Sequence, residues 1–301
     1  MSPFQSAIPN FFFTRILTHD KSEIAHKFKD APIVVGEKTL RDSLNNKIIQ
    51  NFATKKTNQE MYWYHTDDRY HRAPLASTLQ KRMLRAKSSV TDDAIGMLPL
   101  VPGMKVMITD NIVMRGKVAN GCIGTLRDIK YEMNEFNQRR AICVYVHVPG
   151  SKINVPGLPL DVVPVLPETN SFKYKDDNKT VFYISRTQLP LLPAYAFTAN
   201  KIQEQSLQHA LVDLASAKGI QALYVMISQA VSLNNLAVMC WFPLRNINQR
   251  LSEEYRDEFA HLEKLDLITK DDFHKRKWRP VALRTLKNYH TDQDATSPKM
   301  L

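Results

Sequence analysis

The sequence predicts an α/β protein interrupted by a small β-barrel and finished by a helix. Three observations carry this reading. A strand-then-helix unit opens at Ala31, short strands with close turns crowd the middle of the chain, and apolar runs return after Leu189. The 301 residues allow roughly two structural units at about 150 residues each.

The first unit is Pro32-Ile33-Val34-Val35, then Gly36 and apolar residues at helical spacing: Leu40, Leu44, Ile48, Ile49 and Phe52. Met61 to His65 reads as a second strand entering a polar loop around Asp67 and Asp68. Tyr62, Trp63 and Tyr64 fit a strand with alternate faces buried, the other reading being a platform for stacked bases. Lys81, Arg82, Arg85 and Lys87 fall in one basic helix.

The middle changes character. Leu98 to Gly103 opens a strand at Lys105-Val106-Met107-Ile108, Asn120-Gly121 signals a tight turn, and Thr125 to Ile129 continues as strand. Ala141 to Val148 is an eight-residue run of high β propensity. Strands this short and this close predict a small barrel, with Pro156 to Pro159 and the polar Asn170 to Lys179 tract as its loops. Beyond it, Leu189 to Pro193 leads into a helix over Ala194 to Gln203, and a strand at Ala210 to Leu214. Tyr224 to Ser228 starts another unit, and Leu236 to Cys240 is a buried strand. Leu251, Tyr255, Phe259, Leu262 and Leu265 form an amphipathic helical pattern with balanced charges. The organisation expected is an extension over 1–30, α/β over 31–97, an inserted barrel over 98–187, α/β again over 188–245, a helical tail over 246–280, and disorder over 281–301.

Composition narrows the partners. Forty-one Lys and Arg against thirty Asp and Glu give +11, a surplus that favours a polyanion through counterion release. Cys122, Cys143 and Cys240 form no CxxC pair, and His65, His71 and His147 lack ligand spacing, so no metal site is expected. Unpaired cysteines and the lack of a secretory or membrane-spanning run point to a nuclear or cytoplasmic protein; Phe11-Phe12-Phe13 is too short for either kind of run.

Three ordered segments carry a resemblance: LPLVPGMKVMITDNIVMRGKVANGCIGTL from Leu98, LPLLPAYAFTANKIQEQSLQHALVDL from Leu189, and LYVMISQAVSLNNLAVM from Leu223. They resemble, in turn, the opening of the inserted barrel and two late motifs of Pif-type helicases, ATP-dependent DNA helicases of superfamily one. SEEYRDEFAHLEKLD from Ser252 is similar to the region that follows in fungal, Helitron-like members. The resemblance implies a RecA-like second helicase lobe, a P-loop NTPase-type fold without the P-loop, holding single-stranded DNA with its barrel. It also implies a first RecA-like lobe as partner, and ATP with Mg²⁺ as the cofactors of the parent family.

Residue by residue, the resemblance places Thr198, Asn200 and Lys201 on DNA, and Gln203 and Gln229 near nucleotide. Taken alone, Thr198 and Lys201 would read as ordinary helix-surface residues; within the matching motif they become phosphate donors. The chain departs from the family where Asn200 replaces a His, Glu204 a Gly, and Gln229 the arginine finger that neutralises the transferring phosphoryl group. It contains no GxxxxGK[ST], since Val118 follows Gly116-Lys117. The expectation is therefore a DNA-binding chain with no catalytic residue of its own, no cofactor bound alone, and no ATPase activity by itself.

Overall fold

The computed structural model describes Ile16 and residues 26–276, apart from 92, 177, 178 and 204. The Phe11 to Phe13 run, Glu204 and the expected disorder past residue 280 lie outside the described residues. The chain divides into two compact units, residues 1–249 and 250–301.

In chain order the first unit begins with strand β1 (Ile33–Val35), helix α1 (Lys38–Asn51) and its π-helical continuation Phe52–Thr57. Then come β2 (Tyr62–His65), β3 (Asp67–Tyr70), β4 (Ala73–Pro74), helix α2 (Ser77–Leu84) and β5 (Met97–Leu100). Next are β6 (Lys105–Ile108), β7 (Ile123–Met133), β8 (Arg139–His147), β9 (Val162–Val165), β10 (Glu168–Lys175), β11 (Val181–Gln188) and β12 (Leu191–Pro193). The unit closes with β13 (Ala196–Thr198), β14 (Ala210–Val212), helix α3 (Gly219–Ser228) and β15 (Leu236–Val238). The second unit is described through helix α4 (Glu253–Arg276).

A four-stranded parallel sheet of order β13-β1-β14-β15 takes one strand from before the middle segment and three from after it. All three residues of β13 and of β15 are buried, as strands covered on both faces must be. Val34, Phe197, Val212, Leu223, Met226 and Val238 meet in the core beneath it. A larger core, with Ile49, Leu100, Met104, Leu126, Val144 and Val165, lies under an antiparallel sheet of order β12-β6-β7-β8-β9. Tyr195 joins the two sheets, because its carbonyl accepts from Ile33 N at 2.9 Å and its hydroxyl from Lys105 N at 3.1 Å.

Several expectations need correction. The inserted segment is not a closed barrel: among the described residues β12 and β9 are free edges of an open sheet. The tract read as a loop, Asn170 to Lys179, supplies most of β10, and β10-β11-β3-β4 form a second open sheet instead of completing the first. Its polar appearance misleads because β10 is largely solvent-facing, with only Phe172 and Tyr174 packing inward at period two. The helix expected over Ala194 to Gln203 is strand β13 and a 3₁₀ turn, since Ala196 to Thr198 pair with Ile33 to Val35. Met61 to His65 does hold a strand, but β2 pairs antiparallel with β5 outside the parallel sheet. Tyr64 is buried there while Tyr62 lies exposed under the Arg139 guanidinium, 3.3 Å from the ring centroid.

All three cysteines are half-buried and unpaired. Burial, and then the Asp213 carboxylate that accepts from the Cys240 thiol at 3.3 Å, push that thiol up to about 11. Alkylation of Cys240 by iodoacetamide at pH 8 is therefore expected to lag a free cysteine by roughly a hundredfold. Peptide mass spectrometry over a time course checks this, and labelling at the rate of a free thiol would contradict it.

Candidate nucleic-acid interface

Ligands of open α/β sheets gather beyond the carboxyl ends of the strands. In the parallel sheet β1 ends at Val35 and β13 at Thr198, and an open cleft of about 680 Å³ lies there. Lys38, Asp93, Thr198, Asn200, Lys201 and Gln203 line it. Four of the five residues singled out in the sequence thus meet in one place. Thr198 is buried at the strand end, whereas Asn200 and Gln203 are exposed and Lys201 half-exposed on the turn that follows.

Close approach of the backbone shapes one wall. A Cβ on Gly36 would fall 2.1 Å from the Ser216 carbonyl oxygen, so only glycine fits where β1 passes the loop after β14. Gly36 N donates to Ser216 Oγ at 2.8 Å, fixing that contact. The Asn120-Gly121 turn forms as expected, with Gly121 at φ +92°, and closes the opposite wall through Gln205 Nε2 donating to Gly121 O at 3.2 Å.

Residues that sequence reading missed organise the cleft. Lys38 pairs with Asp93 at 3.0 Å, and buried Arg41 holds the other oxygen of Asp93 at 2.8 Å. Burial alone would raise the Asp93 carboxyl, but Arg41 and Lys38 outweigh it and hold the group below the usual carboxylate range. Arg41 also reaches Asp42 at 2.7 Å and Ser88 Oγ at 3.0 Å. Asn45 brackets the outer edge of β13: its amide donates to Ala196 O at 2.9 Å and accepts from Ala196 N at 2.8 Å. The buried stripe of α1 is Arg41, Asn45 and Ile49; of the apolar set expected to face inward, Ile49 is buried while Leu40, Leu44 and Ile48 are half-buried beside the polar pair. Polar residues four apart on a core face were the only available signal.

A second depression of about 280 Å³ adjoins the first and shares Asp93 and Lys201 with it. Asp110 and Glu168 form a carboxyl pair on its rim. Their mutual hydrogen bond, first among the causes for each, raises Glu168 and lowers Asp110. This side is acidic and suits an anion poorly.

Gln229 stands apart. It lies at the end of α3, 4% exposed, and does not line the cleft. Its Nε2 donates to Val225 O at 2.9 Å, its own carbonyl accepts from Leu207 N at 2.7 Å, and its Oε1 meets no donor among the described residues. Among the described residues no cluster of His, Cys, Asp and Glu could hold a metal ion, and no helix is long and apolar enough to cross a membrane.

No protein-family model and no curated protein matches this chain. Solved structures do match it. A Pif1 helicase from Candida albicans superposes with a TM-score of 0.55 at 20% identity, over 87% of this chain and 55% of that one. Bacteroides Pif1 bound to ssDNA gives 0.52 at 16% identity, over 88% and 55%. Pif1 from Bacteroides in complex with ADP-AlF3 and ssDNA gives 0.51 at 16%, over 88% and 54%. This chain spans a little over half the length of these helicases. Over most of its own length it has the mixed α/β fold of the Pif1 helicases.

Proposed function

We propose that this chain is a helicase-derived protein that binds single-stranded DNA through the cleft at the ends of β1 and β13. One observation carries the reading: Thr198, Asn200, Lys201 and Gln203 converge on that cleft beside Lys38. Hydroxyl, amide and ammonium donors in one groove match the sugar-phosphate backbone, which proteins hold mainly through such groups. Bacteroides Pif1, which shares the fold, is bound to ssDNA in its crystal structure. In this reading the parallel sheet is the second RecA-like lobe of a helicase motor, and the antiparallel segment is its insert. A first RecA-like lobe is the partner that would bring the phosphate-binding loop, ATP and Mg²⁺.

The chain's own residues do not fit ATP. The position that would carry a cationic finger holds neutral Gln229, which is buried and bonded to its own helix. That burial favours a second reading beside the first, a DNA-binding module without catalysis. The protein alone is then expected to hydrolyse ATP no faster with DNA than buffer does. Turnover well above that level would refute the inactivity.

Binding is checked by fluorescence anisotropy of a labelled oligothymidylate across a salt series. Affinity is expected to fall linearly on a log–log plot. Lys201→Ala should weaken it several-fold and reduce the slope by about 0.7, the value of one lost single-strand phosphate contact. No measurable binding at low salt, or a Lys201→Ala variant that matches the parent in both affinity and slope, would overturn the assignment.

A further inference from the structure

Helix α1 opens on a lysine where local physics favours an acid. Lys38 is its first residue, no acidic residue lies in the first turn, and the cap residue Glu37 makes no capping hydrogen bond with its side chain. Glu37 is engaged elsewhere, by Lys218 at 3.0 Å. A cation at this end of a helix opposes the helix dipole, so its placement needs another support. That support is a row of alternating charges leading inward from the cleft. Lys38 pairs with Asp93, buried Arg41 takes the other oxygen of Asp93, and Asp42 takes Arg41 while accepting from Ser88 Oγ at 2.5 Å.

The carboxylate is fixed and the lysine is not buried. Asp93 N donates to Ser88 O at 2.9 Å, and the carbonyl of the next residue, Ala94, accepts from buried Arg186. The Lys38 side chain keeps 33% of its surface exposed, against 12% for Asp93 and 3% for Arg41. An ammonium carries three donors, so the pairing with Asp93 leaves two. We infer that Asp93 is a positioning residue that holds Lys38 ready as a further cation, with Lys201, for the backbone phosphates of a strand in the cleft. This rests on the reading of the cleft as a site for single-stranded DNA. Lys38 then loses its rotamer freedom on folding instead of on binding. Charge alone predicts the opposite sign, because a carboxylate lining the cleft repels a polyanion and its removal should tighten binding.

Asp93→Asn in the full chain decides between them. Asp93 sits at φ +65°, a left-handed conformation that asparagine also accepts. Asparagine offers one acceptor oxygen; buried Arg41 has most to lose and claims it, which leaves the amide nitrogen facing Lys38 and releases the lysine. Binding to a labelled oligothymidylate is read by fluorescence anisotropy, at a temperature where circular dichroism shows every variant folded. Asp93→Asn is expected to bind about threefold more weakly, the gain of holding one long side chain in place. Lys38→Ala should weaken binding at least as much and reduce the salt slope by about 0.7. Adding Asp93→Asn to Lys38→Ala should weaken it no further, which separates positioning from a general structural role. An Asp93→Asn variant that binds as tightly as the parent or tighter, or that weakens binding equally with and without Lys38, overturns the inference. So does a Lys38→Ala variant that matches the parent while Lys201→Ala still weakens binding. If neither lysine variant differs from the parent, the reading of the cleft falls with it.

Discussion

Arg186→Ala is expected to destabilise the first unit by about 3–5 kcal/mol, the cost of orphaning one member of a buried ion pair. The side chains of Arg186 and Asp68 are 0% and 1% exposed. Arg186 Nε and Nη2 donate to the two oxygens of Asp68, each at 2.6 Å. The same guanidinium donates to Met83 O at 2.9 Å and to the Ala94 carbonyl. One side chain therefore ties β11 to β3, to the end of α2 and to the loop that carries Asp93. Removing it leaves a buried carboxylate held only by the Thr66 hydroxyl, at 3.2 Å, and takes a donor from each of two carbonyls. A typical domain is stable by about 5–15 kcal/mol, so the loss is a large share of the total. Urea denaturation followed by circular dichroism measures it. Arg186→Met combined with Asp68→Leu should recover much of the loss, because an apolar pair leaves no charge stranded. A single variant within about 0.5 kcal/mol of the parent would show that the pair is dispensable.

The second large effect is at Asn45. β13 is the outer strand of the parallel sheet, and on its free side the Asn45 carboxamide satisfies both polar groups of Ala196. Asn45→Leu keeps the branched shape of the side chain but strands a buried N–H and a buried C=O, at about 1–3 kcal/mol for each group. Because β13 runs directly into Thr198 and Lys201, loosening its edge should also weaken the proposed binding of single-stranded DNA at temperatures where the variant is folded. Asn45→Asp, which keeps the acceptor for Ala196 N but loses the donor, should fall between the two. Hydrogen exchange at the Ala196 amide reads this directly: protection should be lost in Asn45→Leu and largely kept in Asn45→Asp. Unchanged protection in Asn45→Leu would mean the bracket is not what holds the strand edge.

Both residues show where sequence reading stops. Runs such as Ile33 to Val35, Lys105 to Ile108 and Leu236 to Val238 were legible because burial on both faces, or alternation, is a local pattern. Glu253 to Arg276 was legible for the same reason at helical period. The segment after Pro193 misled because Ala, Tyr and Phe suit a helix as well as a strand. What made it a strand was pairing with Ile33 to Val35, more than 160 residues earlier. β10 was missed because a solvent-facing hairpin arm and a polar loop share the same composition. Of the cleft, Thr198, Asn200, Lys201 and Gln203 could be proposed because they are near neighbours in a motif. Lys38, Arg41, Asn45 and Asp93 could not, since their partners are remote.

The sequence by itself determined an α/β chain with a β-rich middle segment and a basic surplus. Tertiary structure alone decided that the insert is two open sheets, which face of α1 is buried, and that Gln229 lies away from the cleft. The physical reason is range. Apolar periodicity is written within a few residues, whereas Asn45 meets its partner 151 residues away and Arg186 meets Asp68 at a separation of 118. Those long-range hydrogen bonds and ion pairs leave no local pattern, yet they hold the cleft in shape.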